Sequence, residues 1–143
     1  MSTSSTFEQA VLDLMQALGL LIRRTRNESY AGELSMTEAV VMSRLANDGP
    51  ATTAALARAE KMKPQSMGTT VTALEEMGIV TRTPHATDGR QMLIELTPKG
   101  AQLRKKNREA KQMWLSEAIA ALEPEERETL FKAAGIMKRL AGK

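Results

Sequence analysis

Apolar residues recur at helical spacing near the start of the chain. Between residues 7 and 22 they fall mostly three or four positions apart, which predicts a long first helix with one apolar face. Ser35 and Glu38 have the spacing of a capping box, so a second helix is expected to begin there. The residues Asn-Asp-Gly-Pro at 47–50 are expected to end it, because Gly accepts left-handed backbone and Pro cannot continue a helix.

Two further helices are predicted close together in the middle of the chain. Thr52 or Thr53 can cap a third helix over residues 54–60. Pro64 suits the first position of a fourth helix, where its missing N–H is not needed, and Gly78 is expected to end that helix. The apolar face of the fourth helix is formed by Met67, Val71, Leu74 and Met77.

The hydrophobic period changes after the fourth helix. Residues 79–83 and 92–96 are typical of two β-strands, and Asp88-Gly89 marks a turn between them. Thr97-Pro98 predicts the start of a fifth helix that runs to about residue 122, and Glu-Pro at 123–124 predicts the start of a sixth. The predicted fold is therefore mainly α, an α+β winged helix with the order α-α-α-α-β-β-α-α. In a winged helix-turn-helix, the second helix of the pair enters the major groove of DNA.

The outward face of the fourth helix is small, polar and uncharged. With Met67 at the centre of the buried face and ~100° of rotation per residue, the opposite side is expected to meet base edges. The side chains on or near that side are Gln65, Ser66, Thr69, Thr70, Thr72 and Ala73. Gln can pair with adenine, and Ser and Thr can bind base or phosphate. The alternative is a solvated helix face, and the hairpin that follows favours recognition.

Positive charge is expected beside this face. Lys63 lies in the turn before the fourth helix, and the backbone N–H groups near residues 64–66 are a candidate phosphate site. Arg90 lies near the hairpin tip, where an Arg side chain can enter the minor groove. Asp88 and Gly89 are expected to shape the tip, Asp88 by pairing with Arg90. The alternative for Arg90 is a solvated loop charge.

Five marks between residues 64 and 100 form a specific set, although each alone is weak. They are Pro64, the run Leu-Glu-Glu-Met-Gly-Ile-Val at 74–80, Arg82, Asp-Gly-Arg at 88–90 and Leu-Thr-Pro-Lys-Gly at 96–100. Together they resemble the DNA-binding core of the multiple-antibiotic-resistance regulator (MarR) family. The flanking helices fit in number and length, so the resemblance covers nearly the whole chain.

The resemblance implies a dimeric transcription regulator, commonly a repressor that a small anionic or phenolic ligand releases. Arg82, one of the matching marks, is included among the predicted DNA contacts. Members that sense peroxides through Cys are not the model, because this chain contains no Cys.

The residue inventory argues against an enzyme. With no Cys and one His, the chain has no thiolate metal site and no Cys nucleophile. No His, Asp and Glu cluster has metal-ligand spacing, and no Gly-rich phosphate loop is present. We therefore expect no catalysis, no metal and no cofactor. A cytoplasmic protein without a membrane association is the expectation, because the start resembles no secretory signal and the longest apolar run is far below the ~18 residues of a membrane span.

Charge is distributed unevenly along the chain. The net charge is +3, yet residues 35–98 hold six Lys and Arg against seven Asp and Glu. Most of the excess lies in residues 99–143, with eleven basic and six acidic side chains. The dense basic run at 99–111 either attracts the phosphate backbone or forms a solvated face whose long stems cover apolar surface.

The apolar stripes outside the winged helix predict a homodimer. A module of about 65 residues is too small to bury them, and pairing with the same helices of a second chain would do so. The candidate interface residues are Phe7, Val11, Leu14, Leu18, Leu130, Met137 and Leu140. We expect dimerisation segments at 1–34 and 99–143 and a DNA-binding domain at 35–98. A two-fold dimer predicts a palindromic operator.

Two further possibilities follow from the sequence. A ligand cleft beside the dimer helices could use Arg23, Arg24, Arg26 or Tyr30 to meet an anion, although plain surface is the favoured interpretation of each residue. The principal alternative to DNA recognition is a winged helix that serves as a protein-interaction module.

Overall fold

A computed structural model describes residues 3–29 and 34–143 of the chain. Within these residues the helices are α1 (Thr3–Arg26), α2 (Met36–Asp48), α3 (Thr53–Ala59), α4 (Pro64–Glu76), α5 (Pro98–Ala120) and α6 (Pro124–Ala141). The strands are β1 (Ala51–Thr52), β2 (Val80–Pro84) and β3 (Met92–Leu96). The mainly α, winged-helix class predicted from the sequence is confirmed, and β1 is an addition to the predicted order.

The chain divides into two compact units. The winged-helix unit contains the described residues 34–108, which run from the residue before the cap of α2 to the first half of α5. The helical unit contains residues 3–29 and 109–143, which supply α1, the remainder of α5 and α6. The helix-turn-helix and its hairpin therefore lie wholly within the winged-helix unit.

Side-chain caps begin α2 and α3 at or next to the residues that the sequence predicts. The backbone N–H of Glu38 donates to Ser35 Oγ (3.1 Å) and that of Ser35 donates to Glu38 Oε1 (2.9 Å), which forms the predicted capping box. Gly49 follows α2 with a φ of 85°, a conformation that favours glycine. Thr52 is the cap of α3, since its Oγ1 accepts from the N–H of Ala55 (3.1 Å). As a result α3 begins and ends one residue earlier than the predicted 54–60.

The core of the winged-helix unit joins α2, α3 and α4 to the sheet. Its largest fully buried side chains are Val41, Leu56, Met67, Val71, Leu74 and Ile94. The three α4 residues in this set were predicted to point inward, and Met77, the fourth, is half-buried. This packing holds one face of α4 against the core, so the opposite face is left exposed.

The three strands form an antiparallel sheet in the order β1-β3-β2. Val80 lies opposite Leu96, and Pro84 lies opposite Met92. The strand predicted at 79–83 begins one residue later, because the N–H of Ile79 donates to the carbonyl of Leu74 (3.0 Å) in the turn after α4. The two-residue β1 escaped prediction since so short a segment shows no alternation.

The start of α5 packs tightly on the turn before β2. The Oγ1 of Thr97 donates to the carbonyl of Gly78 (2.6 Å) and accepts from the N–H of Gly100 (3.0 Å), so Thr97 caps α5 as predicted. Gly78 has a φ of 75°, which suits its predicted place after α4. Lys99 Nζ donates to the carbonyl of Met77 (2.8 Å) and covers the exposed end of α4.

The helical unit carries its apolar side chains on the outside of the single chain. Phe7 is 70% exposed and Leu140 is 59% exposed, and the other predicted interface residues are exposed or half-buried. At the start of α6 the N–H of Glu123 donates to Glu126 Oε1 (3.3 Å), and Pro124 is the first helical residue, as predicted. Among the described helices, none is long and apolar enough to cross a membrane.

Candidate nucleic-acid interface

The exposed face of α4 carries most of the side chains that the sequence assigns to base contacts. Gln65, Ser66, Thr69 and Thr72 are exposed, whereas Thr70 is half-buried at the edge of this face. Gln65, Thr69 and Thr72 follow one another at spacings of four and three residues, so they form a single line along the helix. The beginning and middle of this surface are uncharged, and the acidic Glu75 and Glu76 lie at the far end.

The threonine hydroxyls on α4 all donate into the helix. Thr69 Oγ1 donates to the carbonyl of Gln65 (3.2 Å), and Thr70 Oγ1 donates to that of Ser66 (3.2 Å). Thr72 Oγ1 makes the corresponding bond to the carbonyl of Gly68 (2.9 Å). Each hydroxyl proton is therefore engaged, and each oxygen keeps acceptor capacity toward the surroundings.

Arg82 is bound to α4, although the sequence assigns it to DNA. Its Nη2 donates to Thr72 Oγ1 (3.0 Å) and its Nε lies 3.4 Å from Glu75 Oε1. The side chain retains 28% exposure. This contact links β2 to α4 across residues that are seven and ten positions apart, so it fixes the hairpin relative to the exposed face of α4.

The hairpin tip presents an almost fully exposed cation, Arg90. The side chain of Arg90 is 94% exposed. Asp88 Oδ1 accepts from the backbone N–H of Arg90 (3.1 Å) and lies 3.5 Å from its Nε. Asp88 and Arg90 thus pair within the loop, and the exposed Gly89 lies between them in the turn.

His85 organises the hairpin loop, a role that the sequence analysis did not assign to it. Its Nδ1 accepts from the backbone N–H groups of Thr87 and Asp88 (both 3.2 Å) and lies 3.1 Å from Thr87 Oγ1. Both backbone donors require this nitrogen to carry no proton. The sequence does contain a signal for this role, because a side-chain acceptor just before a turn can bind backbone N–H groups two residues further on. Asp and Asn usually occupy such positions, and here His85 does.

Cations near the start of α4 and in α5 have different surroundings. Lys63 is the residue before α4 and is exposed, without a side-chain capping bond. Arg104 Nη2 donates to Asn47 Oδ1 (3.1 Å), which ties α5 to α2, whereas its Nε is buried without a hydrogen-bond partner among the described residues. Lys105 and Lys106 are exposed. The basic run of α5 therefore mixes structural side chains with solvated ones.

The residues predicted to bind a ligand differ in their partners and in their exposure. Arg24 pairs with Glu28, and its guanidinium lies 4.4 Å from the ring centroid of Trp114, which is a cation–π geometry within the helical unit. Arg23 is exposed and Arg26 is half-buried. Tyr30 lies outside the described residues.

A shallow groove occurs on α6, away from these residues. It has a volume of about 560 Å³ and is lined by Pro124, Arg127, Glu128, Phe131 and Lys132. None of the predicted ligand residues lines it. Across residues 3–29 and 34–143, no three His, Cys, Asp or Glu side chains are grouped so that they could hold a metal ion.

Comparison with known proteins agrees with this geometry. The model of the MarR family matches residues 34–92. An uncharacterized HTH-type transcriptional regulator of Mycobacterium bovis is 39% identical over 128 residues, which cover 90% of each chain. A comparable regulator of Mycobacterium leprae is 37% identical over the same length.

Solved structures share the architecture over the whole chain. A transcriptional regulator of Pseudomonas aeruginosa superposes with a TM-score of 0.86 at 28% identity and covers 99% of both chains. A MarR family protein of Bacillus stearothermophilus superposes with a TM-score of 0.82 at 17% identity and covers 100% of both chains. The similarity therefore includes the helices on both sides of the winged helix.

Proposed function

We propose that this chain, which belongs to the MarR family of transcriptional regulators, binds a palindromic DNA operator as a homodimer and represses transcription until a small ligand releases it. The observation that carries the proposal is the uncharged hydroxyl and amide face of α4, exposed in the same unit as the solvent-exposed guanidinium of Arg90 at the hairpin tip. Such a regulator would act in the cytoplasm.

The proposed DNA contacts divide between base edges and phosphates. Gln65, Ser66, Thr69, Thr70 and Thr72 would face bases in the major groove, where amide and hydroxyl groups distinguish base pairs. Lys63 and the first backbone N–H groups of α4, which have no side-chain cap, would bind a phosphate. The exposed Arg90 would enter the neighbouring minor groove.

The proposed dimer is supported by the exposed apolar side chains of α1 and α6. Eight large apolar residues of α1 are at least 40% exposed in the single chain. Apolar surface of this extent is typical of an interface. Regulators of the MarR family act as DNA-binding dimers. We assign dimerisation to segments 1–34 and 99–143 and DNA binding to 35–98, so that two copies of α4 meet major grooves roughly 34 Å apart.

Release by a ligand would act through the relative arrangement of the two DNA-binding domains of the dimer. A ligand that binds one arrangement of these domains more tightly than the other would favour that arrangement. The resulting change in operator affinity is limited by the difference between the two ligand affinities. Arg23, Arg24, Arg26 and Tyr30 remain the candidate anion contacts. Arg24 already has two partners, Glu28 and Trp114, so an anion would compete with the carboxylate.

DNA binding is tested by comparing a palindromic duplex from the upstream region of the gene with a random duplex at fixed salt. We expect Arg90→Ala to weaken specific binding clearly. The matched control is Lys106→Ala, which removes an exposed cation from α5 and should mainly change the salt dependence if it acts at all. Equal affinity for the two duplexes would favour the alternative, a winged helix used for protein interaction.

The dimer is tested by sedimentation of Leu14→Glu, which places a charge in the proposed interface. We expect this variant to sediment as a monomer at micromolar concentration. Gln16→Glu is the matched control, because it adds the same charge at another exposed position of α1. A monomeric parent, or a dimer that survives Leu14→Glu, would contradict the assignment.

A further inference from the structure

Thr72 differs from the other threonines of α4 because its hydroxyl is held on both sides. It donates to the carbonyl of Gly68 (2.9 Å) and accepts from Arg82 Nη2 (3.0 Å). Thr69 and Thr70 donate to a helix carbonyl in the same way but accept no hydrogen bond from another side chain among the described residues, which leaves their hydroxyls freer to turn. The orientation of the Thr72 hydroxyl is thus defined before any ligand arrives.

The two bonds determine what the hydroxyl can still do. A Thr hydroxyl has one proton and two lone pairs, and here the proton and one lone pair are engaged. The remaining capacity is a single acceptor on an exposed side chain. In the major groove the donors that such an acceptor can meet are the exocyclic amines, N6 of adenine and N4 of cytosine. Phosphate oxygens, guanine O6 and thymine O4 are acceptors and offer nothing to it.

Arg82 is arranged to maintain this state. Its Nη2 donates to Thr72 Oγ1 and its Nε lies 3.4 Å from Glu75 Oε1, so one edge of the guanidinium contacts both residues. A guanidinium engaged in this way is directed at the helix, and it fixes the hydroxyl without needing to contact DNA itself.

From this geometry we infer that Thr72 is a specificity-determining acceptor for one exocyclic amine in each half-site, and that Arg82 is its positioning residue. The inference rests on the proposed function, since it names the chemistry by which the same face selects sequence. It also reassigns Arg82 from a direct DNA contact to a residue that acts through Thr72.

The test begins with duplexes selected by the parent protein from a randomised library. Each adenine of the selected half-site is then replaced by purine, and each cytosine by pyrimidin-2-one, so that single amines are removed. We expect one position at which amine removal weakens binding by the parent roughly 5-fold per half-site, the worth of one hydrogen bond, and roughly 25-fold when both half-sites are changed.

Matched variants assign that position to the hydroxyl. Thr72→Val keeps the shape and the methyl group but lacks the hydroxyl, so it should bind the parent duplex and the amine-free duplex equally. Thr72→Ser restores a hydroxyl and should restore the dependence on the amine. Circular dichroism and thermal unfolding confirm that each variant is folded, which is expected because residue 72 is exposed.

A second comparison separates positioning from phosphate binding by Arg82. We expect Arg82→Ala to reduce the dependence on that amine in the parent and to leave the base profile of Thr72→Val unchanged. The slope of affinity against salt should stay constant. A side chain that contacts phosphate would instead lower the slope by about one charge per protomer in both backgrounds.

The outcomes are distinguishable. An unchanged amine profile in Thr72→Val overturns the inference while the proposed function stands. A fall in salt slope with Arg82→Ala and no change in base profile overturns the positioning role. A library that yields no enriched sequence overturns the inference together with the proposed function.

Discussion

Gly100 is the residue for which helix propensity and packing predict opposite results. It lies in the first turn of α5, where alanine is normally about 1 kcal/mol more favourable than glycine. A Cβ built at Gly100 would lie 3.0 Å from the carbonyl carbon of Ile79 and 3.1 Å from its Cγ2, and closer still to the carbonyl oxygen. These obstacles include backbone atoms, which cannot turn aside as a flexible side chain can.

The loss of unfolding free energy in Gly100→Ala can be estimated from these contacts. Overpacking of this kind costs about 1–3 kcal/mol. The obstructed oxygen also accepts from the backbone N–H (3.0 Å) and Oγ1 (3.2 Å) of Thr97, and a strained or lost hydrogen bond adds about 1 kcal/mol. The gain of about 1 kcal/mol in helix propensity offsets the hydrogen-bond cost, so we expect Gly100→Ala to be destabilised by about 1–3 kcal/mol.

Gly68→Ala is the matched control, because Gly68 is also helical and a Cβ there would meet nothing within 4 Å. We expect it to stabilise the protein by up to about 1 kcal/mol. The assay is urea unfolding of the parent and both variants at one protein concentration, since a dimer makes stability concentration-dependent. If Gly100→Ala unfolds at the same or higher urea concentration than the parent, the close packing of α5 on Ile79 is refuted.

Three further predictions address the wing, the core and a surface ion pair. His85→Ala removes the acceptor of two loop amides, so hydrogen exchange at those amides should accelerate roughly tenfold while global stability changes little; unchanged exchange would contradict the role of the imidazole. Leu56→Ala opens a cavity at a fully buried position and should cost about 2–5 kcal/mol in urea unfolding, whereas a cost below about 1 kcal/mol would argue against the packing described. Arg44 and Glu60 pair at 2.7 Å but are partly exposed, so a double-mutant cycle should give a coupling of at most about 1 kcal/mol, and a larger value would mean that the pair is more shielded than its exposure indicates.

Local sequence determined where most of the helices and strands lie. The capping box at Ser35, Pro64 at the start of α4 and Thr97 before α5 act through neighbouring residues, so their effects are visible in the sequence. The same holds for the outward face of α4, because helical periodicity alone separates Met67 and Val71 from Thr69 and Thr72.

Tertiary structure decided the partners of the functional side chains. Arg82 is a residue type that commonly contacts DNA, so the sequence assigned it that role. Only the packing of β2 beside α4 directs its side chain to Thr72 and Glu75 instead. The strand β1 exists only because β3 offers it a partner at Ile94, and Gly100 is constrained only because Ile79 lies against it. These contacts join residues seven to more than forty positions apart, and periodicity carries no information about which distant atoms a chain will bring together.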